Sequence, residues 1–152
     1  MNTMLSTAIK LMADRFSSEK ELKLRLEKEF AHEPELDTLI EETIKRLREL
    51  HLLNDNRLAE SLAQRYSHKG NRFIQQTLRQ KGFSDEVIAI VLQEIDDEYN
   101  RALNEAKRKL NRAPKKSNED LKSSLVRFLS GRGFSFDTIK LVIAALNVEE
   151  AY

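Results

Sequence analysis

One pattern occurs twice in this chain, fifty-one residues apart, and it limits what the chain can fold into. Residues 81–88 read KGFSDEVI and residues 132–139 read RGFSFDTI. A basic residue, a glycine, an aromatic, a serine and an isoleucine keep their places, and each has a role where one helix ends and another begins. A glycine just past a last helical turn adopts the left-handed conformation that ends the helix, and a cation before it suits the negative helix end. The serine accepts a hydrogen bond from the first turn of the next helix. Phenylalanine and isoleucine on either side of that cap form a hydrophobic staple, which sets the angle between the helices. Turn, cap and staple recur as a set, so the spacing predicts tandem helical units.

The flanks carry the helices. Phe73, Ile74, Thr77 and Leu78 share one stripe of a helix over 71–81, and Leu125, Phe128 and Leu129 do so in the second copy. Ile88, Leu92 and Ile95 continue the first copy after its serine, as Ile139, Val142, Ile143 and Leu146 continue the second. The run VIAIVL could be a buried strand by itself. It runs on to Tyr99 without glycine or proline, and its counterpart DTIKLVIAAL is rich in helix formers, which selects helix.

A leading helix precedes each core motif. Asn54 caps one, with Leu53 and Leu58 as its staple and Ala59, Leu62 and Tyr66 on its face; Ile9, Met12 and Phe16 match these in a helix over 7–16. Leu103, Ala106 and Leu110 match at an offset shortened by seven residues, and the insertion APKKSNE at 113–119 reads as an exposed loop. In the first and most diverged copy, Ser18 and Glu21 have capping-box spacing before Leu22 and Leu26. A longer break around Pro34 separates them from Leu36, Leu39, Ile40, Ile44, Leu47 and Leu50. The expected architecture is all-α: three tandem three-helix modules, about nine helices, spanning 1–53, 54–99 and 100–152 in an elongated array that can curve. Each module is too small to be robust alone, so neighbours should share apolar seams.

Several chemistries are excluded or unsupported. With no cysteine there is no disulfide, cysteine-zinc site or thiol nucleophile. His32, His51 and His68 show no metal-ligand spacing, so neither metal nor cofactor is expected. Gly70, Gly82, Gly131 and Gly133 are all assigned to helix termini, which leaves no phosphate-cradling loop, and no pair of carboxylates stands out for acid-base work. The chain is not expected to be an enzyme. The first twelve residues lack a basic leader and a long apolar run, and the longest apolar stretches fall far short of the ~20 residues that span a bilayer, so a cytoplasmic location is expected.

A net charge of +1 hides segregation. Acids crowd the first third, from Glu27 to Glu42, and Glu94, Asp96, Asp97 and Glu98 form a further patch that reads as a solvated face. Cations crowd the last third: Lys107, Arg108, Lys109, Arg112, Lys115, Lys116, Lys122, Arg127 and Arg132. Arg65, Lys69, Arg72, Arg79 and Lys81 decorate the middle. These fourteen are candidate contacts for an acidic partner or nucleic acid; an ordinary solvated surface is the alternative. A base-reading helix-turn-helix is disfavoured, because Asp85 and Glu86 stand where its recognition helix would meet phosphates and Asp137 stands there in the copy.

In this order and spacing the residues resemble the RecX family of bacterial RecA regulators over nearly the whole chain. Arg15, Ser18, Glu21, Leu22 and Leu26 look like its first-module signature, and Leu53, Asp55 and Ala59 like the opening of the second. Lys69, Gly70, Ile74, Leu78, Lys81, Gly82 and Phe83, continued by the stapling Ile88, resemble the middle signature. Phe128, Leu129, Arg132, Gly133, Phe134 and Ile139 resemble the third. Ser17 stands where the family commonly has arginine, and Leu58 where an aromatic often precedes the alanine. The resemblance implies a non-enzymatic regulator; a monomer with no membrane partner is expected. Such a protein lies in the helical groove of the RecA filament on single-stranded DNA. There it suppresses RecA's ATPase, recombinase and coprotease activities, and so affects DNA repair, recombination and the SOS response. Direct contact with DNA is left open, and a non-specific DNA-binding helical repeat acting without RecA is the alternative.

Overall fold

The computed structural model describes residues 3–14, 18–112 and 117–146. They form nine α-helices and no strand: α1 Thr3–Asp14, α2 Glu19–Glu29, α3 Leu36–Glu49, α4 Asp55–Arg65, α5 Asn71–Gln80, α6 Asp85–Glu94, α7 Glu98–Arg112, α8 Asn118–Gly131 and α9 Phe136–Leu146. The all-α expectation of three-helix groups holds. Arg15, Phe16, Ser17, Lys115, Lys116 and most of the expected 113–119 loop lie outside the described residues.

The chain condenses into two compact units. One holds the residues up to Leu62 together with Leu78–Val91; the other holds Ala63–Thr77 together with those from Leu92 onward. The boundary runs within α4, α5 and α6, so the middle group contributes to both.

Each unit has its own core. In the first, Ala8 of α1 packs with Leu22 and Leu26 of α2 and Ile44 and Leu47 of α3, all with no exposed surface. In the second, Ala102 and Ala106 of α7 pack with Leu125 and Leu129 of α8 and Phe134, Ile139, Val142 and Ile143 at and within α9. Burying one such leucine contributes about 1.5–3 kcal/mol, and truncating it to alanine costs about 2–5 kcal/mol.

The repeated turn is a geometric copy. Gly82 has φ +92° and Gly133 has φ +87°, the left-handed region glycine tolerates. The Phe83 N–H reaches the Leu78 carbonyl at 3.1 Å, and the Phe134 N–H reaches Leu129 at 3.1 Å. Ser84 Oγ accepts from the Val87 N–H at 3.2 Å, and Ser135 Oγ from the Thr138 N–H at 3.2 Å. The stapling pairs Phe83 with Ile88 and Phe134 with Ile139 are buried. Asn54 caps α4 through the Arg57 N–H at 3.3 Å, as its position predicts.

Four details depart from the sequence reading. α1 begins at Thr3 rather than Thr7, because Met4 adds a turn to the buried face with Ala8, and Ile9 turns outward at 38% exposure. Leu50, past the end of α3, is exposed. Only half of the capping box forms: Ser18 Oγ accepts from the Glu21 N–H at 3.1 Å, while Glu21 Oε1 is buried without a hydrogen-bond partner. In α7 the buried stripe is Arg101, Ala102, Glu105 and Ala106, which leaves Leu103 and Leu110 only partly buried.

Candidate interaction surface

Each unit contains a joint where one helix group meets the next, and the two joints use corresponding bonds. In the first unit, the Ser18 hydroxyl donates to the Lys81 carbonyl at 2.5 Å, and Asp55 Oδ1 at the start of α4 accepts from the Glu19 N–H at the start of α2, at 3.0 Å. In the second, the Gly70 N–H donates to the Arg132 carbonyl at 2.8 Å, and Glu98 Oε2 at the start of α7 accepts from the Asn71 N–H at the start of α5, also at 2.8 Å. Lys81 and Arg132 are equivalent positions of the repeat. A carboxylate at a helix start is favoured by the unpaired N–H groups there, and each joint lends one to a neighbouring helix.

The two carboxyls differ. Burial pushes Asp55 above the ordinary aspartate range, and the Glu19 N–H offsets this only in part. Burial also opposes the charge of Glu98, but hydrogen bonds from Thr138, Asn71 and Ser135 outweigh it and hold the group below the ordinary glutamate range. Its Oε1 accepts from Thr138 Oγ1 at 2.6 Å and Ser135 Oγ at 2.9 Å, so Glu98 also ties down the start of α9. Glu98 is therefore a structural anchor and not the solvated patch member expected from its acidic neighbours.

Gly70 likewise has another reason than ending a helix. A Cβ there would lie 2.0 Å from the Gly133 carbonyl oxygen, so two backbones touch where no side chain fits. The fixed segment is read by Arg101, 4% exposed, whose guanidinium donates to the Lys69 carbonyl, Asn71 Oδ1 and, at 2.8 Å, the Asp96 carbonyl. Sequence reasoning passed over Arg101 and Glu105. Their signal is spacing: both sit beside Ala102 and Ala106, whose small side chains leave room for charged neighbours on the buried stripe.

In the second unit the structure gathers three candidate cations, Arg108, Arg112 and Arg132, with Arg101 around an open polar depression of about 500 Å³. Glu105 lines it too, bound by Arg132 at 3.2 Å and by Arg108 at 3.4 Å. Arg132 is further committed, lying 4.5 Å from the centroid of the Phe128 ring, which Lys109 also approaches at 4.9 Å. Lys69 rests over Phe73 at 4.8 Å. Arg65, Arg72, Lys107, Lys122 and Arg127 are exposed, as is the Arg108 side chain at 67%. Arg79 and Lys81 belong to the first unit, and Arg79 pairs with Asp85 at 3.3 Å. The middle-group cations are thus divided between units. Among the described residues, no group of three or more histidines or acids could hold a metal ion, and no helix is long and apolar enough to cross a membrane.

Comparison with known proteins decides the family. Residues 54–92 match the model of the second three-helix domain of RecX, and residues 96–143 match that of the third. The chain belongs to the RecX family. The regulatory protein RecX of Clostridium perfringens (strain 13 / Type A) is 33% identical over 151 residues, covering 95% of this chain and 69% of that protein. The RecX of Clostridioides difficile (strain 630) is 30% identical over 149 residues, covering 94% and 68%. The crystal structure of RecX from Lactobacillus salivarius superposes with a TM-score of 0.77 at 25% identity, covering 95% of each chain. RecX is a family of regulatory proteins, not of enzymes. Its signature residues here do structural work: Ser18 caps α2 and reaches the turn between α5 and α6, Gly70 and Gly133 meet at the second joint, and Leu22, Leu26, Ile74, Leu78 and Leu129 are buried.

Proposed function

We propose that this RecX-family regulator binds the RecA filament on single-stranded DNA along its helical groove. There it inhibits RecA's ATPase, recombinase and coprotease activities as a cytoplasmic monomer. The observation that carries this reading is the set of exposed cations on α7 and α8, on a chain whose relatives are regulatory proteins. Lys107, Lys122 and Arg127 all face solvent there, so their charge is available to an acidic partner. Several small helix groups, each able to make its own contact, also suit a partner built of repeating protomers. Joint reversal of Lys107, Lys122 and Arg127 to Glu leaves the cores untouched. It should raise severalfold the concentration needed for half-inhibition of RecA, and unaltered inhibition by the folded triple variant contradicts the assignment of these cations. The same cations support a second reading, non-specific DNA binding without RecA, which predicts tight and steeply salt-dependent binding to DNA alone.

A further inference from the structure

The repeat supplies an internal control for the outer faces of its closing helices. α6 and α9 share cap, staple and buried stripe, so differences at their exposed positions reveal what the fold does not require. The exposed positions of α6 are Asp85, Glu86, Ala89, Ile90, Gln93 and Glu94; those of α9 are Phe136, Asp137, Lys140, Leu141, Ala144 and Ala145. Asp85 opens α6, where the positive helix end favours an acid. Its counterpart is Phe136, which gives up that interaction and leaves its ring 68% exposed. Neither the Ser135 cap nor the Phe134–Ile139 staple needs it.

Phe136 lines an open groove of about 630 Å³ inside the second unit. Val126 and Ile139 give that groove apolar lining, while Arg72, Gln75 and Ser130 bring a guanidinium, an amide and a hydroxyl. Lys140 Nζ lies 5.5 Å from the Phe136 ring centroid. Glu98 also lines the groove, but its oxygens are occupied by the donors of Asn71, Ser135 and Thr138.

We propose that this groove takes an unpaired base of single-stranded nucleic acid, stacked on Phe136, with Arg72 and Lys140 meeting the adjoining phosphates. A base offers a π-face to the ring and hydrogen-bonding edges to Gln75 and Arg72. An apolar protein anchor would cover the Arg72 guanidinium and the Gln75 amide of this groove without pairing them, whereas a base edge can pair with both. With only two cations beside the ring, stacking rather than charge sets the affinity. The proposal rests on the filament reading only in that single-stranded DNA is at hand there.

The chain has no tryptophan, so F136W places a single stacking-sensitive fluorophore in the site. Titration with oligothymidylate should quench it saturably, and a duplex of equal length should do so far less. By fluorescence anisotropy of labelled oligothymidylate, F136A should bind about 5- to 150-fold more weakly at unchanged salt slope. R72A and K140A should each lower that slope by about 0.7. Three results overturn the site: F136W fluorescence unmoved while the labelled strand binds elsewhere, no binding of the strand at all, or a response to RecA protein without DNA. RecA ATPase assays run in parallel separate the two readings. Inhibition by wild type with none of these base-binding signals sinks the stacking site alone, whereas quenching by the strand with no inhibition sinks the filament reading alone.

Discussion

The joint at Gly82 and the joint at Gly133 share turn geometry and hydrogen-bond pattern but are closed by different groups. In the first, a side chain does the reaching: the Ser18 hydroxyl meets the Lys81 carbonyl, and a Cβ on Gly82 would meet Ser18 Oγ at 2.8 Å. In the second, the Gly70 backbone itself lies against the Gly133 backbone, and Glu98 ties three helix starts together. A side-chain joint can be retuned by one substitution. A backbone joint cannot change without moving a helix, so the second unit should be the less tolerant of the two.

Glycine substitutions test this contrast with the largest effects. G70A forces a Cβ against a carbonyl that has nowhere to go, and it should cost about 3 kcal/mol or more in urea denaturation. G82A, strained by its positive φ and crowded only by Ser18 and Lys20 side chains, should cost about 2 kcal/mol. Equal losses at both positions would break the comparison. Next come the carboxyls. E98Q removes the charge that several donors address and should cost about 1.5 kcal/mol, whereas D55N, with one N–H to satisfy and burial already opposing its charge, should stay within about 1 kcal/mol.

Acid should separate the joints more finely. The folded-state pKa of Glu98 is lowered, so its stabilisation is present above the ordinary carboxylate range and is lost as pH falls through that lowered value. The folded-state pKa of Asp55 is raised, so the folded state binds its proton first and this group's contribution improves as pH falls through the raised value. Amide hydrogen exchange followed as pH is lowered should show the Asn71 N–H keeping its protection after Asp55 has taken up its proton, and losing it only at lower pH, as Glu98 is protonated. The smallest effect is a control. A Cβ on Gly131, the last residue of α8, meets nothing within 4 Å, and G131A should be neutral or stabilise by about 0.5–1 kcal/mol.

The repeated turn is legible in sequence because its parts act locally: Gly82, Ser84, Gly133 and Ser135 are identified by their immediate neighbours. Apolar stripes such as Leu22 with Leu26, and Ile139 with Val142 and Ile143, are legible by period. What escapes is whatever depends on a distant segment. Glu98 reads as one acid among four until Ser135 and Thr138 arrive beside it, Arg101 carries no signal until Lys69 and Asn71 accept its hydrogen bonds, and Gly70 reads as a helix break until Gly133 touches it. The candidate surface follows the same rule. Sequence gives its cations as clusters along the chain, and only tertiary structure shows that Arg132 is bound to Glu105 and Phe128 while Lys107 and Arg127 face solvent.

The most direct measurement is ATP hydrolysis by RecA on single-stranded DNA as this protein is titrated in. The proposed filament binding predicts inhibition at well below one copy per RecA, since one molecule lying along the filament would affect several protomers. No inhibition at saturating excess, with the protein shown to be folded, would contradict it.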